Sequence, residues 1–176
     1  NELEQATTCF GQGISVTAIQ LITAFCSLIN GGYLYKPHVV KDIKSSHLNE
    51  IVETKNKEVV RKVISKETSD TMKTILEGVV SSPTGSGKNA YIQGYRIGGK
   101  TGTSEDGVNT GKRIASFVGV ADIKDPEVAI IVILYNPTGE GGHQGGAVAA
   151  PLAGQILGEV LPYLEITREK EEYKEV

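Results

Sequence analysis

At 176 residues the chain is long enough to bury the core of one domain, and its net charge of −3 comes from charges scattered along it. No basic block and no alternation of basic with aromatic residues is present, which argues against a nucleic-acid partner. The longest apolar run, Val128-Ala129-Ile130-Ile131-Val132-Ile133-Leu134-Tyr135, has the length of a strand, far short of the roughly 20 residues of a membrane helix.

The sequence starts at Asn1 rather than Met, as expected of a segment of a longer protein, and carries no signal peptide. Its two cysteines, Cys9 and Cys26, follow no metal spacing and are too few for a disulfide framework. Both are expected to be plain thiols, with Cys26 on the apolar face of a helix. His38, His47 and His143 lack partners at ligand spacing, so no metal and no cofactor is expected.

In chain order, residues 1–13 read as an irregular lead-in. Ser15 then reads as the N-cap of a helix over 16–29, whose apolar residues cover most of its circumference and imply deep burial. Asn30-Gly31-Gly32 is a left-handed stop, and residues 38–53 with 59–60 read as short extended pieces. Ser65 caps a second helix, with Met72, Ile75, Leu76, Val79 and Val80 along one face. Residues 81–89 form a loop by composition.

The period then changes. Residues 95–103, 113–122 and 128–135 are three strand candidates, and the short links between them favour an antiparallel meander. A last apolar helix spans 147–163, with Pro151 tolerable in its opening turn. The end, 165–176, is nearly all charge and reads as a solvated tail or linker. The architecture is α+β, with the closing helix over one face of a meander sheet.

The chemistry concentrates in Gly98-Gly99-Lys100-Thr101-Gly102-Thr103-Ser104. Alternation places Lys100 and Gly102 on one side of the strand and Thr101 and Thr103 on the other. Gly102 leaves the backbone open to a ligand, two hydroxyls and an ammonium can grip a carboxylate, and the Thr103 amide is free to donate to a developing oxyanion. A competing reading exists. Gly94 to Thr101 satisfies the phosphate-loop pattern, with Asp122 at the end of a following apolar strand. That reading requires a helix directly after Lys100-Thr101, and Gly102-Thr103-Ser104-Glu105-Asp106-Gly107 is unsuited to start one. A non-catalytic module that binds a partner through this strand is a third option. Glu105 and Asp106 read as a solvated turn.

Three blocks arbitrate: Phe10-Gly11-Gln12-Gly13-Ile14-Ser15-Val16-Thr17, then Tyr95 through Ser104, then Gly145-Gly146-Ala147-Val148-Ala149-Ala150-Pro151. Together with Asn30-Gly31-Gly32 and Lys36-Pro37 they resemble the class B penicillin-binding proteins, in that family's order and spacing. The wording around Lys88-Asn89-Ala90-Tyr91 is most similar to the sporulation branch. The resemblance implies a partial penicillin-binding, serine β-lactamase-like transpeptidase fold over 1–164. It implies D,D-transpeptidation of peptidoglycan stem peptides and acylation by β-lactams, in a parent held in the cell membrane by a segment outside this chain, its catalytic domain on the extracytoplasmic side.

Of the family's three motifs only Lys-Thr-Gly is present, at Lys100-Thr101-Gly102. No serine has Lys three places on or Asn two places on; Ser27-Leu28-Ile29-Asn30 and Ser86-Gly87-Lys88 each miss by one. By resemblance Lys100 and the Thr103 amide are catalytic, while Thr101, Gly102 and Thr103 bind the substrate. Without a nucleophile the chain alone is expected to be inert. Lacking the elements that cover its sheet and first helix in the family, it is also expected to dimerise or swap elements.

Overall fold

The structure is a computed structural model that describes residues 2–9, 11–106 and 111–169. Phe10, Gly107 and 170–176 of the charged end lie outside the described residues. The order is α1 (Glu2–Thr8), α2 (Ala18–Ile29), β1 (Tyr33–Tyr35), β2 (Asp42–Lys44), β3 (Ile51–Thr54), β4 (Val59–Lys62) and α3 (Lys66–Ser81). After a short 3-10 turn, Lys88–Ala90, come β5 (Ile97–Glu105), β6 (Arg113–Ala121), β7 (Val128–Tyr135) and α4 (Gly145–Tyr163).

The expected α+β meander is present. β5, β6 and β7 pair antiparallel in that order, while β1 pairs with β4 and β2 with β3 in two small separate ribbons. Alternation along β6 gives the sheet two buried faces. Phe117 and Ala121 join Ile97, Val132, Ala149, Ala153 and Leu157 under α4. Val118 and Val120 join Phe25, Ile29, Leu76 and Ile123 under α2 and α3. A polar link joins those two helices: the fully buried Ser69 hydroxyl donates to the Leu28 carbonyl (2.8 Å) and accepts from the Gly31 amide (3.0 Å). Its proton and an acceptor site are both engaged, which offsets the cost of burying the hydroxyl.

Several boundaries differ from expectation for local reasons. The N-cap of α2 is Thr17, not Ser15. A capping box needs a glutamine or glutamate three residues after the cap, and Gln20 returns the Thr17 bond, whereas Ala18 would follow Ser15 at that spacing. The first residues are not irregular, since Glu2–Thr8 is helical. Nor is α2 deeply buried along its length: Phe25, Ser27 and Ile29 are buried, but Ile19 is 55% exposed. Ser65 caps α3 as expected, accepting from the Thr68 amide.

α4 starts two residues early, at Gly145, which puts Pro151 in its second turn, where it removes an intrahelical bond. The charged end is held down as far as Glu169, whose amide donates to the Gly94 carbonyl (2.8 Å), while Ile166 packs on the core and Arg168 lies over the Tyr95 ring.

One ring organises the α4 face. Phe117 is fully buried, and a Cβ at Gly119 would stand 2.6 Å from its Cε1, one at Gly87 3.1 Å from its Cε2, and one at Gly99 inside its Cζ. Those three glycines hold space for it. Gly119→Ala is therefore expected to cost about 1–3 kcal/mol by overpacking. Phe117→Leu, which removes the clashing ring edge, should make the double substitution less destabilising than the sum of the single ones. Denaturant unfolding at fixed protein concentration measures both.

Candidate active site

β5 is an edge strand whose burial ends abruptly. Ile97, Gly98 and Gly99 are buried between α3 and α4, and from Lys100 onward the strand emerges. Its outer edge has no strand partner among the described residues. Which backbone groups face that edge follows from the register. Asp106 donates to the Lys112 carbonyl (3.0 Å), and the ladder runs without a break through Gly102↔Ser116 and Lys100↔Val118. Antiparallel pairs alternate between bonded and non-bonded, so Lys100, Gly102 and Ser104 bond to β6. The amides and carbonyls of Thr101 and Thr103 then point outward. The Lys100 ammonium folds back onto one of these groups, donating to the Thr101 carbonyl (2.7 Å).

The two threonine side chains are each held from a different element. Thr101 Oγ1 donates to Ser86 Oγ (3.1 Å), in the loop after α3. Thr103 Oγ1 accepts from the Gly145 amide (3.0 Å), at the start of α4. The Gln144 side chain makes no capping bond, so Thr103 serves one of the orphan amides of that helix end. With its acceptor engaged there, the Thr103 proton is left for another partner. Asn89 closes the junction by donating to the Gly146 carbonyl (2.8 Å).

The approach is close enough to require glycine. A Cβ at Gly145 would fall on the carbonyls of Gly102 and Ser116, one at Gly146 on the Ser86 carbonyl, and one at Gly102 stands 2.5 Å from Ser116 Oγ. Sequence reasoning named Lys100, Thr101, Gly102 and Thr103, and the structure brings them together on one edge. It missed Ser86, Asn89 and Gly145. The signal available for Gly145 was the Gly145-Gly146 pair, since two glycines opening a helix mark a close backbone contact rather than a helix preference; nothing local marked Ser86 or Asn89.

The phosphate-loop reading is overturned. Lys100 and Thr101 lie inside β5, and the backbone continues extended through Glu105 instead of entering a helix. Glu105 itself pairs with Arg113 (2.8 Å). Asp122 follows β6, four residues beyond Val118, the register partner of Lys100. It sits beside the Arg96–Glu77 ion pair, a bidentate contact with both side chains largely buried. Among the described residues no group of three or more His, Cys, Asp or Glu side chains can hold a metal, and no helix is long and apolar enough to cross a membrane.

The description Penicillin binding protein transpeptidase domain matches residues 1–158. The chain belongs to the penicillin-binding protein transpeptidase family. It is 42% identical over 173 residues to stage V sporulation protein D of Bacillus subtilis, covering 96% of this chain and 26% of that protein. Against the peptidoglycan D,D-transpeptidase FtsI of Escherichia coli it is 34% identical over 170 residues, covering 94% and 26%. The apo transpeptidase domain of Burkholderia pseudomallei penicillin-binding protein 3 superposes with a TM-score of 0.81 at 34% identity, covering 97% of this chain and 49% of that domain. The transpeptidase segment here thus spans about a quarter of those two full-length relatives and about half of the solved domain.

Away from the site, partial burial and then the nearby Glu169 carboxylate push the Asp122 carboxyl above its ordinary value, against the opposing pull of Arg96. A folded-state pKa above the unfolded one means that the native chain holds the proton more tightly, so stability falls as pH rises through that interval. Asp122→Asn keeps the Oδ1 that accepts from the Lys124 amide. It is expected to raise the thermal midpoint at pH 7, and the gain should vanish below the ordinary aspartate value of 3.8. Melting curves across that pH range check it.

Proposed function

We propose that this segment is the Lys-Thr-Gly wall of a serine-type peptidoglycan D,D-transpeptidase. In that reading Lys100 belongs to the proton-transfer network, Thr101 and Thr103 hold the terminal carboxylate of a stem peptide or β-lactam, and Gly102 clears the strand for it. The Thr103 amide donates to the oxyanion. The observation that carries the reading is the edge of β5, where the register turns the Thr101 and Thr103 amides outward beside their two positioned hydroxyls. An extended ligand can then add to the edge as a strand does, its backbone matched by theirs. An oxyanion donor held in place beforehand contributes about 10²–10³ in rate.

The similarity to stage V sporulation protein D supports a role in spore cortex synthesis for the parent, and similarity to FtsI-type enzymes supports a membrane-held parent facing the cell wall. The chain contains no Ser-x-x-Lys and no Ser-x-Asn, so the nucleophile and its base belong to another part of the parent. The chain alone is inert in this reading. The outer edge of β7, which has no strand partner among the described residues, and the exposed Ile14, Val16 and Ile19 also support association between two copies of it.

Incubation of the isolated chain with a fluorescent penicillin should give no covalent mass shift. The full-length parent should give one, and Lys100→Ala in it should slow acylation by about 10²-fold or more. An adduct on the isolated chain, or full-speed acylation of the substituted parent, would sink the assignment. Light scattering of the isolated chain should show a dimer at high concentration, and a clean monomer would rule out the association.

A further inference from the structure

We infer that Ser86 is a further ligand-binding residue of this edge, its hydroxyl joining those of Thr101 and Thr103 in a row that recognises a carboxylate. The inference rests on the transpeptidase reading above and adds to it a residue outside the Lys-Thr-Gly strand.

Ser86 is exposed, yet its place is fixed. The Gly85 amide donates to the Ser82 carbonyl (2.9 Å), the Gly87 amide to the Val79 carbonyl (3.0 Å), and the Lys88 ammonium to the Pro83 carbonyl (3.0 Å). These bonds fold the loop onto the end of α3. Ser86 is flanked by two glycines that have no room for a side chain: a Cβ at Gly85 would fall on the Val79 carbonyl, and one at Gly87 stands 3.1 Å from both Phe117 and Val79. The carbonyl of Ser86 lies where Gly146 would carry a Cβ, so α4 closes the loop from the other side. Its hydroxyl is thereby presented to Thr101 at 3.1 Å.

Hydroxyl arithmetic gives the function. Each hydroxyl has one donor and two acceptor sites. Two hydroxyls sharing one bond use a single proton between them, which leaves the other proton for a third group. With Thr101 donating to Ser86, the Ser86 proton is free; with the bond reversed, the Thr101 proton is. Either way the pair offers one donor, strengthened because its oxygen accepts a bond from the other. Thr103, whose acceptor is engaged by Gly145, offers a second on the same face of β5. Two donors side by side match the two oxygens of a carboxylate.

The test uses the full-length parent and benzylpenicillin, with the binding constant separated from the limiting acylation rate. Ser86→Ala leaves Thr101 its own proton as a donor but removes the bond that strengthens and aims the donor, so it should weaken binding about fivefold and leave the acylation rate constant unchanged. Ser86→Thr should restore binding to within about twofold, because it keeps the hydroxyl. Binding of the penicillin methyl ester, which has no carboxylate charge, should be unaffected by Ser86→Ala. Unchanged penicillin binding in Ser86→Ala, a failure of Ser86→Thr to restore it, or an equal loss for acid and ester would overturn the inference alone. If penicillin does not acylate the unsubstituted parent, the transpeptidase reading falls and this inference falls with it.

Discussion

The structure depends on how closely backbones approach one another around the Phe117 ring and the start of α4. Phe117 fills volume that Gly87, Gly99 and Gly119 leave empty, so the loop after α3, the strand β5 and the strand β6 all close on one side chain. Dispersion falls steeply with distance, so such a contact is strong only when every wall is at van der Waals separation. Farther along the chain, Gly145 and Gly146 bring the end of a 19-residue helix against β5 and the loop. The site is where these two close contacts meet.

That arrangement explains how an exposed strand can hold its chemistry in place. Edge strands are usually the least constrained part of a sheet, and their outward amides are open to any extended chain. Here the buried half of β5, Ile97 to Gly99, is anchored in the core, while its exposed half has threonine side chains bound from two other elements. The backbone donors are open, but their positions are determined by packing. Preorganisation of this kind places the cost of ordering the donors on folding rather than on ligand binding.

Much of the architecture was legible in the chain. The strand-length apolar run of 128–135 placed β7 at its actual bounds, Ser65 capped α3, and the short links favoured the meander. The Lys100 strand was recognisable because Gly102 through Glu105 cannot open a helix. Other features depended on partners far along the sequence. Local pattern could not say that Ile19 is exposed while Phe25 is buried, since both lie on the same apolar helix and only contact with α3 and the sheet separates them. Nor could it find Ser86 or Asn89, whose polar partners are 15 and 57 residues away.

By itself, then, the sequence determined the family and most of the order of elements, and it pointed to Lys100, Thr101, Gly102 and Thr103 as the candidate site, because periodicity, caps and short motifs are written in neighbouring residues. Tertiary structure decided which amides of that strand face outward, which hydroxyls are held and by what. Those depend on register and on backbone approach between elements distant in the chain, where a single glycine Cβ would be enough to separate them.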